Sequence, residues 1–348
     1  MIRYFDSPEY GMHLVQWWQL DAMERDLALT QEMGFQWVKH KFPWRDIEGI
    51  VKGEYDWYRP DFIVDAVEQA GLKLLVRLDQ QPFWSVSSLP DEQIHANQPP
   101  VDLRDFGDFC GAVAERYRGR IAAYQVWNEP NLSREWGEQT PDPVAYTALL
   151  KVCYEAIKTA DPQAIVISAG LAPTATMPPV AMPDADYLQA MYDAGAAAYF
   201  DVLGLNAPGY KAPPEMSPAE VIATEGFGGF GWNTFRHVET MRAIMVANGD
   251  AHRQVAILEM GWTTDPIRPE YAWHAVTEDE QADYLVRAYQ FAEEHWQPWI
   301  GLMATIFMAD ADWTADNEQY WWSITLPDGT PRPAYYALQQ MRRDMPRE

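Results

Sequence analysis

Tyr124-Gln125-Val126-Trp127-Asn128-Glu129-Pro130-Asn131 is the stretch whose reading decides the fold. It closes an apolar run, rich in aromatic and β-branched side chains, that predicts a buried strand over 121–127. Pro130 cannot donate to a ladder, so the strand must stop before it. Asn128 and Glu129 therefore fall at the C-terminal lip of a strand, the edge at which parallel sheets bind ligands. The plain alternative is that Glu129 caps the next helix or pairs with a surface arginine.

Working outward, the same grammar repeats. Apolar runs predict further strands over 11–17, 37–41, 72–78, 164–169, 202–206, 255–259 and 301–307. Helical periodicity fills the intervals: Ile63, Ala66, Val67 and Ala70 stand at i, i+3, i+4 and i+7, and Gly71 marks the stop. Thr277 followed by Glu280 is a capping box. Eight strands alternating with helices predict an α/β fold, a closed (β/α)8 TIM barrel. No Gly/Ser linker or composition break divides residues 1–348, so a single barrel domain is expected. The chain exceeds the barrel's typical length of about 250 residues, and the excess falls in enlarged βα loops, above all 207–234. A doubly wound open sheet would need a glycine-rich turn after the first strand, which is absent.

A net charge of −25 speaks against nucleic acid and anionic membranes, and against a strongly anionic polymer unless a local basic patch compensates. No apolar run approaches a membrane span. Sixteen Trp and eighteen Tyr exceed what a core requires and point to a cleft that stacks on a ligand's faces. Cys110 and Cys153 each lie on the apolar stripe of a helical segment, without a CxxC or a neighbouring histidine; they read as buried free thiols rather than a disulfide or zinc site. Met1 to Pro8 carries no signal-peptide pattern, while the acidity favours an extracellular or periplasmic location over a cytoplasmic one.

Glu259 ends a second apolar run, Val255-Ala256-Ile257-Leu258. Glu129 closes strand four and Glu259 strand seven, so in a closed barrel both acids face one mouth. Two carboxylates across a cleft suit glycosidic bond cleavage: one donates a proton to the leaving oxygen, the other attacks the anomeric carbon. A separation of about 5–5.5 Å implies retention of configuration, a wider one inversion.

Trp127-Asn128-Glu129-Pro130-Asn131 together with Glu259-Met260-Gly261-Trp262 resembles the clan A retaining glycoside hydrolases. Trp44-Arg45-Asp46-Ile47-Glu48, Tyr55-Asp56-Trp57 and Arg77-Leu78-Asp79-Gln80-Gln81-Pro82-Phe83-Trp84 look like family 39, which includes β-xylosidases and endo-acting exopolysaccharide hydrolases. The resemblance implies Glu129 as general acid/base, Glu259 as nucleophile, Asn128 as a hydrogen-bond partner of the sugar 2-hydroxyl, and Arg77 beneath the nucleophile. Arg77 reads equally as an ion pair with Asp79, and Lys39 as a sugar contact or an interior salt bridge. Strand six departs from the pattern: Asn206 stands where such enzymes often carry a histidine. The chain also lacks length for the accessory β-sandwich of xylosidases of this type, which favours an endo-hydrolase of polysaccharide over an exo-acting enzyme. No cofactor is implied.

Trp84, Trp136, Trp262 and Trp313, each just beyond a strand end, and Tyr210 and Trp232 in the long loop, are candidates for stacking on sugars, with core packing the alternative. The glycines around Phe227 lack phosphate-loop spacing and read as a flexible cleft wall. The segment 310–318 carries a hint of calcium-loop spacing without the central Gly or the twelfth-position Glu, so loop solvation or sugar binding is expected there and no metal site. No His pair has metal spacing.

Overall fold

The computed structural model describes residues 1–345. Eight strands, β1 (Glu9–His13), β2 (Trp37–Pro43), β3 (Lys73–Asp79), β4 (Ala123–Val126), β5 (Ile165–Ile167), β6 (Leu203–Pro208), β7 (Val255–Gly261) and β8 (Ile300–Thr305), alternate with helices. The principal helices are α1 (Met23–Glu32), α2 (Tyr58–Gln69), α3 (Leu103–Arg116), α4 (Pro143–Ala160), α5 (Asp184–Asp193), α6 (His237–Ala247), α7 (Glu278–His295) and α8 (Pro333–Asp344). The strands pair in parallel in the order β5-β4-β3-β2-β1-β8-β7-β6. Two parallel bridges, Ile167 to Val202 and Leu171 to Leu205, join the ends of that order and close the barrel.

The barrel is filled in two zones. Its floor is apolar: Trp37, Leu75, Ala123, Ile165, Leu258 and Leu302 meet Phe5, which lies 5.3 Å from Trp37. Burying side chains of this size contributes about 1.5–3 kcal/mol each. Gln254 fixes the plug, its Oε1 accepting from the backbone N–H groups of Tyr4 (2.9 Å) and Phe5 (3.0 Å). The last helix ends at the same floor, where Arg342 donates to the Gly34 carbonyl (3.2 Å). Higher up, the inward positions of the strands become polar, with Lys39, Arg77, Gln125, Asn206 and Glu259.

The helices start where the sequence says they should. Asp142 accepts from the N–H groups of Val144 and Ala145 at the head of α4, and Thr277 and Glu280 cap α7 reciprocally. The expected first strand is displaced: the ladder runs 9–13, because the chain turns at Val15 to Trp17, with the Trp17 N–H donating to the Val15 carbonyl (2.7 Å). Trp17 then packs on Phe42 outside the barrel.

The two cysteines correct the reading of free thiols: Cys110 on α3 and Cys153 on α4 form a disulfide, with Cα atoms 5.4 Å apart. Gly107 lets the helices approach, since a Cβ there would stand 3.3 Å from the Val152 carbonyl oxygen. Each cysteine was visible on an apolar stripe, but only the packed helix pair shows that the two stripes share one seam.

Candidate active site

Above the apolar floor, the C-terminal strand ends and their loops enclose a cleft of about 900 Å³. Both glutamates singled out by the sequence line it, as do Asn128, Arg77, Asn206, Tyr210 and Trp313.

Glu129 is held by its backbone before its side chain. The β4 ladder stops at Val126, and Trp127 and Glu129 take φ of 70° and 42°, a left-handed conformation costly for any residue with a Cβ. The surroundings impose it: the Trp127 indole donates to the Glu135 carbonyl (2.8 Å), Gln125 to the Trp127 carbonyl (2.8 Å), and the Glu129 N–H to the Gly170 carbonyl (3.0 Å). Asn131 staples this loop to the one after β5, donating to the Ala172 carbonyl (2.8 Å) and accepting from its N–H (3.0 Å). The Glu129 carboxylate, 15% exposed, accepts from Asn206 Nδ2 (2.8 Å) and faces Arg134 at 3.4 Å. It does not cap a helix; the suspected arginine partner exists, at a loose distance.

Glu259 stands on β7 in register with Asn206 on β6, the residue whose amide donates to Glu129. Its Oε1 receives Lys39 Nζ at 2.9 Å and faces an Arg77 terminal nitrogen at 3.5 Å and His13 Nδ1 at 3.9 Å. Arg77 fulfils both of its readings, since its Nε also lies 2.9 Å from Asp79.

These neighbours set opposite proton affinities. Burial raises the Glu129 carboxyl above the ordinary glutamate range and the Glu259 charge raises it further, against the weaker pull of Arg134 and Asn206. Burial works the same way on Glu259, but Lys39 and Arg77 outweigh it and hold that carboxyl below its usual range. The Lys39 ammonium is itself drawn down to about 8 by burial, against the attraction of Glu259, and so keeps its proton at neutral pH. Burial and the nearby cations hold His13 well below the usual histidine range, so it is neutral. A third cleft carboxyl, Glu135, is raised to about 7, first by burial and then by Glu129. The cleft thus presents one carboxyl disposed to keep its proton beside another disposed to lose it.

Several expectations are corrected. Lys39 does not line the cleft and takes the salt-bridge alternative: it is 1% exposed, and its ammonium is held by the Leu258 carbonyl and Glu259. Trp262 is fully buried, its indole donating to the Ala212 carbonyl (2.9 Å), in space that only a glycine at 209 leaves open. Trp136 packs between Trp127 and Tyr146. Trp84 lies edge-on to Trp44 and donates to the Glu48 carbonyl, away from the cleft. Trp232 backs Tyr210 (5.2 Å) without lining the cleft, and of loop 207–234 only Pro208 and Tyr210 form cleft wall; the glycine run does not. Asp310, Trp313 and Glu318 do reach the cleft. Among the described residues, no three His, Cys, Asp or Glu side chains are placed to hold a metal ion.

The structure adds residues the sequence reading passed over. Trp18, 63% exposed, lines the cleft with the Arg59 guanidinium 4.2 Å from its ring centroid. Trp17 lines the same cleft, and the chain bends at both residues, so no strand alternation marks them in the sequence. His13, Lys41, Arg45, Glu135, Tyr271 and Phe307 also line the cleft.

Comparison with solved structures bears on this geometry. A family 39 glycoside hydrolase from the gut symbiont Bacteroides cellulosilyticus WH2 superposes with a TM-score of 0.70 at 20% identity, over 98% of this chain and 65% of that one. A family 5 glycoside hydrolase from Streptomyces cattleya, in complex with GlcNAc, gives 0.69 at 14% identity, over 98% and 82%. A family 10 endoxylanase from a sugarcane soil metagenome gives 0.59 at 15%, over 96% and 97%. The chain thus shares its barrel fold with glycoside hydrolases of families 39, 5 and 10. The chain spans less than two thirds of the length of the family 39 structure. No family model and no curated protein matches the sequence.

Proposed function

We propose that this chain is a retaining β-glycoside hydrolase that cuts within a polysaccharide, with Glu129 as general acid/base and Glu259 as nucleophile. The observation that carries the reading is the meeting of two carboxyls in one cleft, one held by Lys39 and Arg77 and the other by a neutral amide. The Glu259 carboxylate attacks the anomeric carbon while the Glu129 carboxyl gives its proton to the departing glycosidic oxygen. Glu129, now ionised, takes a proton from water; that water attacks the same carbon and releases Glu259. Arg77 and Lys39 are positioning residues that keep the nucleophile ionised. Asn128 and Asn206 offer amides to the ring hydroxyls, and Tyr210, Trp313 and Trp18 offer faces and edges for stacking. The likeness to glycoside hydrolases supports the reading, and a cleft much larger than one sugar ring supports endo action. The Cys110–Cys153 bond supports an extracellular or periplasmic location, where disulfides persist.

Digestion of a polysaccharide panel, with products sized by mass and their anomers read by proton NMR, tests this. Oligomers first released as the β-anomer are expected. Monosaccharides alone would replace endo with exo action, in the manner of a β-xylosidase or β-glucosidase. No new reducing ends on any glycan would leave a binding barrel without catalysis.

A further inference from the structure

The cations of the cleft are unevenly employed. Lys41, Arg45, Arg77 and Arg134 line it. Arg77 faces Asp79 and Glu259, and Arg134 faces Glu129 and Glu135. Lys41 and Arg45 have no carboxylate within 4.0 Å among the described residues, and neither charged head donates a hydrogen bond to another described residue. Asp46, on the same wall, stays beyond that distance from both. In a chain with 51 acidic and 26 basic residues, partners are not scarce, so a half-buried lysine left unpaired beside an unpaired rim arginine calls for a ligand.

Their position is informative. Lys41 follows Lys39 by two residues on β2 and stands in register with Arg77, the neighbour of Glu259. Two strand residues span about 7 Å, so the unpaired corner lies roughly a ring's breadth from the nucleophile. Lys41 is half-buried, and burial together with Arg77 and Arg45 pushes its ammonium down against the more distant pull of Asp79 and Asp46, so a closer anion would restore it. Arg45 is exposed at the rim, where its planar fork can grip two oxygens of one oxyanion. The overall charge of −25 opposes a polyanion only at range; in physiological salt that field fades over about 8 Å, and the local pair decides.

We propose that Lys41 and Arg45 form a subsite for an anionic substituent, which makes the substrate an acidic β-linked glycan bearing a carboxylate or a sulfate ester. This rests on the glycosidase reading, so its test is a binding measurement separate from turnover. Calorimetry on the full chain carrying Glu129→Gln would compare β-1,4-xylohexaose with its glucuronate-branched and O-sulfated forms. One charged form is expected to bind about ten- to hundredfold more tightly than the uncharged backbone. Lys41→Met and Arg45→Gln should each remove most of that preference; Arg45, being exposed, can be changed without risk to the fold. A preference for the branched form names the carboxylate as the group recognised, and one for the sulfated form names the ester. Equal binding of charged and uncharged forms overturns the subsite while leaving hydrolysis standing. So does a preference untouched by both substitutions, or failure of all three probes to bind while a neutral glycan is cleaved in the digestion panel. Absence of hydrolysis across that panel breaks the underlying reading instead.

Discussion

Glu129 and Glu259 enter one cleft from opposite walls and keep very different company. Glu259, on β7, is met by Lys39, Arg77 and a neutral His13 from β2, β3 and β1. Glu129, at the end of β4, meets a neutral amide, Asn206 from β6, and a mostly exposed arginine at 3.4 Å. Both carboxyls feel the same burial, yet one ends above the ordinary range and the other below it. Neighbours within about 4 Å, and not residue type, divide the labour between two identical side chains.

The strongest way to break this comparison is to remove the acid with the cations. Glu259→Ala is expected to lower turnover by about 10⁴-fold or more, with azide restoring it through a glycosyl azide of inverted configuration. Rescue by azide with retained configuration would exchange the two roles. Glu129→Gln should cost about 10²–10⁴-fold, and much less on aryl glycosides whose leaving group needs no proton. An equal loss on both substrates would show that Glu129 is not the acid.

The pH profile sharpens the contrast without removing either residue. The proposed mechanism needs Glu259 ionised, and its carboxyl is depressed, so activity should persist below the ordinary 4.5 before the acid limb falls. It also needs Glu129 protonated, and that carboxyl is raised, so the alkaline limb should lie above 4.5. Lys39→Met removes the closest cation; the acid limb of kcat/KM should move upward, costing about tenfold at acid pH, while the alkaline limb stays near its place. A downward move of the acid limb would refute the assignment. The smallest effect belongs to Asn206→Ala. Its hydrogen bond favours ionised Glu129, so the alkaline limb should shift upward, with a loss of about two- to tenfold at the optimum.

Much of this contrast was legible in the residues. The eight strand cores, the helix stops at glycines and the capping box at Thr277 are local signals, and local signals survive folding. Glu129 and Glu259 were visible because each ends an apolar run, and the barrel does the rest. What stayed hidden depends on which surfaces meet. Cys110 and Cys153 sat on stripes whose partnership needs the α3–α4 seam. Trp84, Trp136 and Trp262 follow strand ends as Trp313 does, but their indole N–H groups found carbonyls or their rings found core, and no periodicity separates such cases. Lys39 read as sugar contact or salt bridge until Glu259 stood 2.9 Å away. The left-handed backbone at Trp127 and Glu129 has no sequence signal, because bulky residues are not what such angles favour.

Phe5 plugs the barrel floor under the grip of Gln254, and α8 finishes beside Gly34 on that same side. Whatever is joined to the amino end, whether an affinity tag, a bead or a second module, is carried behind the molecule. Such a tether leaves the mouth of the cleft facing away from it.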